Sequence, residues 1–167
     1  MELDNFKIQI ITLSDRASKG EYEDKSGPLA AGLIEDFCKK KGFSYDISSI
    51  ILPDNSHKLK EIIKKSVSEK IDIIITTGGT GIGPRDITID TIKPLLDKEI
   101  PGIMEMIRVK YGKEKPNALL SRAIAGTINK SLIYTLPGSV KAVKEYMDEI
   151  FKTLVHTIYM LHGVDVH

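Results

Sequence analysis

Two carboxylates in this sequence, Asp54 and Asp86, each fall just past a β-rich run and just before a helical pattern. Asp86 follows Arg85, and both close a stretch that reads Thr76-Thr77-Gly78-Gly79-Thr80-Gly81-Ile82-Gly83-Pro84. Glycines at that density let the backbone turn sharply and bring bare amide groups against a ligand. One or two carboxylates, completed by substrate phosphates, is how proteins usually hold Mg²⁺. Such an ion offsets charge that builds up in a phosphoryl or nucleotidyl transfer. Arg85, and Arg16 in an earlier loop, can pair with phosphate oxygens in bidentate fashion. The ordinary alternatives are concrete. Asp54 reads equally well as a helix N-cap, and Arg16 as the ion-pair partner of Asp15 or Asp24. For Asp86 capping is the weaker reading, because Thr88 is available as the cap of the next helix, whose start would itself attract an anion. Ser139, after Pro137-Gly138, either caps a helix or does so while its amides bind a second anion. Lys19 and Lys25 are loop lysines and weaker candidates.

The glycine loop is neither common nucleotide motif. Gly78 and Gly83 have the P-loop spacing, but Pro84 and Arg85 stand where Lys and Ser/Thr are required. Gly79-Thr80-Gly81-Ile82-Gly83 fails the dinucleotide fingerprint, since Pro84 occupies the third glycine's place. His57, His156, His162 and His167 lie on helical patterns or in the tail, so no Ser–His or Cys–His pair is readable. A nucleophile that is already an anion needs no histidine base. One phosphate attacking another fits that condition, and catalysis then reduces to aligning and neutralising two anions.

The elements that must position these groups alternate. Phe6–Leu13, Phe43–Leu52, Ile71–Ile75, Arg122–Ile128 and Ser131–Leu136 read as strands, with Asn129-Lys130 as a tight turn. Ile71, Ile73, Ile74 and Ile75, broken only by Asp72, suit a strand buried on both faces. Leu29, Leu33, Ile34 and Phe37 recur at helical spacing after a cap at Ser26, and Gly42 ends that helix. Leu59, Ile62, Ile63 and Val67 form a second stripe. Shorter helices are expected over Ile89–Leu96 and Ile103–Val109, with Lys113–Asn117 a charged connection. One long last helix carries Val143, Ile150, Leu154, Ile158 and Leu161 on a single face, closed by Gly163. The expected fold is α/β: a three-layer α/β/α sandwich, mostly parallel sheet with helices on both faces, in a single domain over 1–167 and with residues 163–167 a flexible tail. In such sheets ligands lie beyond the carboxyl ends of the strands. Ser14–Lys25, Pro53–Ser56, Thr77–Asp86 and Pro137–Ser139 all leave strand ends, and convergence at one edge is the simplest account of them.

Composition sets limits. The 167 residues carry 24 basic and 23 acidic side chains, a net charge of +1, so no global field draws in nucleic acid or a membrane. Phosphate chemistry must be local. The single cysteine, Cys38, excludes an internal disulfide framework and a Cys-rich zinc site. With no signal-like segment and no membrane-length apolar run, a cytoplasmic protein is expected.

Leu13-Ser14-Asp15-Arg16-Ala17-Ser18 with Gly20 and Asp24-Lys25, then Pro53-Asp54, then Thr76-Thr77-Gly78-Gly79-Thr80-Gly81 with Pro84-Arg85-Asp86-Ile87-Thr88, then Leu136-Pro137-Gly138, resemble in combination the molybdopterin adenylyltransferases of the MogA/MoaB type. The similarity is collinear from about Lys7 to Leu161. It implies Mg²⁺-dependent adenylylation of molybdopterin with ATP as co-substrate, releasing pyrophosphate, in a homotrimer or hexamer, with a molybdate-inserting enzyme downstream. The family's catalytic and metal-binding aspartates match onto Asp54 and Asp86. Thr77, Gly78, Gly79, Thr80 and Gly81 match its nucleotide-binding loop. Ser14, Asp15, Arg16, Arg85, Pro137, Gly138 and Ser139 match neighbours of nucleotide or pterin. Val140 departs from the proline that many relatives carry there. The alternative is a non-catalytic pterin- or nucleotide-binding scaffold of the same family; such members generally have the Arg-Asp pair altered, and Arg85-Asp86 is intact. A molybdate-inserting enzyme would be expected to carry further domains.

Overall fold

A computed structural model describes residues 5–164. Six strands form one sheet in the order β2-β1-β3-β6-β5-β4. β1 (Asn5–Leu13), β2 (Ser44–Leu52), β3 (Ile73–Thr77) and β6 (Ser131–Leu136) are parallel. β5 (Ala125–Ile128) runs antiparallel to β6, and the short β4 (Lys98–Glu99) antiparallel to β5. The apolar run of β3 is explained by its place inside the sheet. Ile73 and Ile75 pack into one layer and Ile74 into the other, and none is more than 1% exposed. Each such side chain removed from water contributes about 1.5–3 kcal/mol.

One face is covered by α2 (Ser26–Lys41), α5 (Pro101–Gly112), α6 (Val140–Ile150) and α7 (Leu154–Leu161), which bury Ile34, Ile107, Met147 and Ile158 against it. The other is covered by α3 (Ser56–Ser68) and α4 (Thr88–Ile92), through Leu59, Ile63, Ile89 and Ile92. A four-residue turn of helix, α1 (Asp15–Ser18), follows β1 directly. The three-layer α/β/α expectation holds. Of the tail at 163–167, Asp165–His167 lie outside the described residues.

Several local expectations are corrected. The last helix is two: Lys152 and Thr153 donate to Glu149 and Ile150 carbonyls three residues back, a tighter turn that lets Phe151 stack on Phe37 at 4.5 Å. The helix expected over Ile89–Leu96 is α-helical only to Ile92 and then 3₁₀, because Pro94 brings no amide to continue the ladder. α5 starts at Pro101, where a proline's missing N–H costs nothing, rather than at Ile103. The strand expected from Arg122 pairs only from Ala125, and β4 was not foreseen. Ser26 does not cap α2; the Asp24 carboxylate does, accepting from the N–H groups of Ser26 (3.0 Å) and Gly27 (3.1 Å).

The sheet brings the turns after its parallel strands to one end. Ser14 N–H donates to Leu52 C=O and Gly78 N–H to Leu136 C=O, each at 2.9 Å, so neighbouring turns are tied in pairs. The chain crosses to opposite sides of β1 on going to β2 and to β3, and a crevice opens at such a switch of strand order. Gly78 (φ +97°) lies there, where a Cβ would stand 2.3 Å from the Leu13 carbonyl oxygen. Gly78→Ala is expected to lower unfolding free energy by about 3 kcal/mol, from positive φ and the backbone clash together. Urea denaturation measures this, and a change under about 0.5 kcal/mol would contradict the close approach of the two turns.

Candidate active site

Four successive carbonyls of the glycine loop are engaged by the protein. The Gly78 oxygen accepts from Thr88 Oγ1 (2.8 Å) and the Gly79 oxygen from Thr88 N–H (3.1 Å). The Thr80 oxygen accepts from Arg122 N–H (2.9 Å) and the Gly81 oxygen from Arg122 Nε (2.8 Å). A trans peptide is planar, and its N–H points opposite to its C=O. Tying these four oxygens therefore turns the next amides, those of Gly79, Thr80, Gly81 and Ile82, the other way. Among the described residues none of these four N–H groups has an acceptor. Successive N–H groups without an acceptor can donate to an anion. Thr88 thus serves the loop and does not cap α4, and α4, at five residues, is too short to contribute a helix-end site of its own.

Asp86 sits at the mouth of this loop. Its Oδ2 accepts from Gly83 N–H at 2.7 Å, closing the Gly83–Asp86 turn. Asp54 and Asp15 clasp each other across two strand ends: Asp54 Oδ2 accepts from Asp15 N–H (3.1 Å), and Asp15 Oδ1 accepts from Asp54 N–H (3.0 Å). Arg85 reaches over and pairs with Asp15 Oδ2. The helix after Asp54 is capped by Asn55, whose side chain accepts from Lys58 N–H at 3.0 Å, so the capping alternative for Asp54 is removed. Burial pushes the Asp54 carboxyl above the ordinary aspartate range, and the Asp15 and Asp86 charges add to that. Asp15 goes the other way, held low by the Asp54 amide and by Arg85.

A cleft of about 590 Å³ opens from the loop, with Gly79, Thr80, Gly81, Asp86 and Pro137–Ser139 at one end. That is an ordinary size for a small-molecule site. Its far wall, on α5, α6 and the segment between α5 and β5, carries Tyr111, Lys115, Asn117, Lys141, Glu145 and Tyr146. Lys115 pairs with Glu145 at 3.0 Å, and the Lys115 ammonium depresses the pKa of Lys141 beside it. Gly138 packs on Gly78, with a Cβ there falling 3.4 Å from Gly78 Cα. Ser139 caps α6 by accepting from Ala142 N–H at 3.2 Å.

Of the residues singled out in the sequence, Gly79, Thr80, Gly81, Asp86, Pro137, Gly138 and Ser139 line the cleft. Asp15, Asp54 and Arg85 form one polar cluster adjoining it, coupled to Asp86 through charge. Ser14 and Thr77 act from behind: Ser14 caps α1, and Thr77 shares a 2.9 Å hydrogen bond with Ser26. Arg16 stands apart, its guanidinium 5.1 Å above the Tyr22 ring rather than paired with Asp15 or Asp24. The far wall and Arg122 escaped notice in the sequence. Lys113–Asn117 read as a plain charged connection, and Arg122 as the start of a strand.

A family described as "Probable molybdopterin binding domain" matches residues 9–157. The chain belongs to this family. A molybdopterin adenylyltransferase of Pyrococcus furiosus is 41% identical over 160 residues, covering 90% of each chain. Gephyrin of Dictyostelium discoideum is 38% identical over 162 residues, which span 93% of this chain and 22% of that longer protein. The structure of the tungsten cofactor synthesizing protein MoaB from P. furiosus superposes with a TM-score of 0.82 at 37% identity, covering 96% of this chain and 98% of that one.

The charge placement around Asp54 has a consequence for stability. The Asp54 carboxyl titrates higher in the folded than in the unfolded chain, so its contribution favours the fold at low pH and is lost as pH rises through the folded value. Asp54→Asn, which keeps an acceptor for Asp15 N–H, is expected to raise the thermal midpoint at pH 7. The gain should vanish below about pH 4, where the native carboxyl is neutral too. A midpoint lower than the parent's at pH 7 would contradict this.

Proposed function

We propose that the protein is a molybdopterin adenylyltransferase acting in molybdenum cofactor biosynthesis. The observation that carries this reading is the loop of residues 78–82, where the carbonyls of Gly78 to Gly81 are tied back and the amides of Gly79 to Ile82 are left without acceptors beside Asp86 and a cleft sized for a heterocycle. The names of the relatives supply the substrates. A terminal phosphate oxygen of molybdopterin attacks the α-phosphorus of ATP. A new P–O bond forms, the bond to the β-phosphate breaks, and pyrophosphate leaves with the electron pair. No proton has to be removed from the nucleophile, in keeping with a cleft that no histidine lines among the described residues.

The chain's own residues align and neutralise. The amides of Gly79, Thr80 and Gly81 donate to phosphate oxygens, and Arg85, released from Asp15, can pair with another. Asp54 and Asp86 suit Mg²⁺. Each engages one carboxylate oxygen in a local hydrogen bond, at Oδ2, and keeps Oδ1 without a donor among the described residues. No three His, Cys, Asp or Glu residues form a ready-made metal cage among the described residues, and Mg²⁺ with phosphates does not require one. When bound, the ion supplies charge neutralisation on the phosphates. The far wall, with Tyr111 and Tyr146 as ring surfaces and Lys115, Asn117 and Glu145 as polar groups, offers one heterocycle a place. The active form in this reading is a homotrimer, and its adenylylated product passes to a molybdate-inserting enzyme.

Pyrophosphate release from ATP that requires both Mg²⁺ and molybdopterin tests the reading against a binding-only scaffold. Asp86→Ala is expected to reduce turnover about a hundredfold or more while the thermal midpoint and circular dichroism stay close to the parent's. Turnover within a few-fold of the parent would remove Asp86 from the mechanism. Turnover should also rise as pH increases through the elevated Asp54 pKa, because only the ionised carboxylate holds the metal. A profile flat across the acid range would contradict that role.

A further inference from the structure

Arg122 holds more of the site together than any other side chain, although it contributes no surface to the cleft. It precedes β5, yet its main-chain N–H and Nε hold the Thr80 and Gly81 oxygens, and its Nη2 donates to the Asp86 oxygen at 3.0 Å. The same guanidinium is gripped by Asp90 on α4 through two bonds of 3.0 Å, Nη1 to Oδ1 and Nη2 to Oδ2. One planar fork therefore spans both ends of the turn that carries Arg85 and Asp86.

We infer that Arg122 is a positioning residue for adenylyl transfer: it keeps the Gly81 peptide from turning over and fixes the Asp86 backbone, while Asp90 sets the plane of the fork. The inference rests on the adenylyltransferase reading for its catalytic consequence. Its structural part does not. The physical reason is local. A glycine-containing loop samples several backbone states at little cost. A turned peptide would present a carbonyl oxygen, in place of an N–H, to a phosphate. Lysine keeps the charge but cannot reach several carbonyls and a carboxylate in fixed geometry.

The test uses the whole protein with Arg122→Ala, Arg122→Lys and Asp90→Asn. Hydrogen exchange in peptides covering residues 78–90 should speed up about tenfold or more in Arg122→Ala, with β1 and β6 unchanged. Equilibrium binding of ATP without acceptor should weaken, and turnover should fall about a hundredfold, the cost of misplacement by an ångström. Arg122→Lys should resemble Arg122→Ala more than the parent, and Asp90→Asn should fall between. Unchanged exchange at 78–90 in Arg122→Ala, or full function in Arg122→Lys, would overturn the inference. So would accelerated exchange with ATP binding and turnover both retained. If the parent itself releases no pyrophosphate, the adenylyltransferase reading fails, and exchange and ATP binding in the variants still decide the role of Arg122.

Discussion

A peptide group cannot offer its oxygen and its N–H in the same direction, and the site depends on that constraint. Four successive oxygens, from Gly78 to Gly81, are occupied by just two residues, Thr88 and Arg122. What remains is a row of donors that nothing among the described residues satisfies. Buried or half-buried amides without acceptors are unfavourable for folding. In the proposed reading these amides meet phosphate oxygens, and Asp54, whose carboxyl burial pushes up, faces the metal.

The sheet is what makes this arrangement tolerable. Parallel strands β2, β1, β3 and β6 deliver their turns to one end, and the turns brace one another: Ser14 on Leu52, Gly78 on Leu136, Asp15 on Asp54. Behind them Asp24 ties Thr12 Oγ1 (2.6 Å) to the first amides of α2, and Ser26 of α2 in turn meets Thr77. The sequence from Thr12 to Thr77 through Asp24 and Ser26 is a continuous polar path beneath the glycine loop. It gives a physical reason for Asp24 and Ser26 to be as they are, although neither lines the cleft.

How much of this could be read from the chain depends on the range of the interaction. The β3 run and the turn after it are local, and their strand-then-loop reading stands, as does the α/β/α class. The place of Asp54 after a strand and before a helix left its choice between cap and site open. Asn55, one residue on, takes the cap. Thr88 looked like a cap for the same statistical reason, yet it is wholly buried and bonded to a turn ten residues away. Arg122 has its partners at Thr80, Gly81, Asp86 and Asp90, too distant along the chain for spacing to reveal. Arg16, in α1, lies over the Tyr22 ring, so neither ion pair that its neighbours suggested is formed. The break at Phe151–Thr153 was invisible because the apolar stripe runs on through it, from Ile150 to Leu154 and Ile158.

The most direct measurement is a crystal structure of the protein with Mg²⁺ and a non-hydrolysable ATP analogue. The account predicts phosphate oxygens within hydrogen-bond reach of the Gly79, Thr80 and Gly81 amides, and a metal bound by Asp54 and Asp86. Triphosphate density away from these amides, or a loop whose carbonyls have turned toward the ligand, would contradict it.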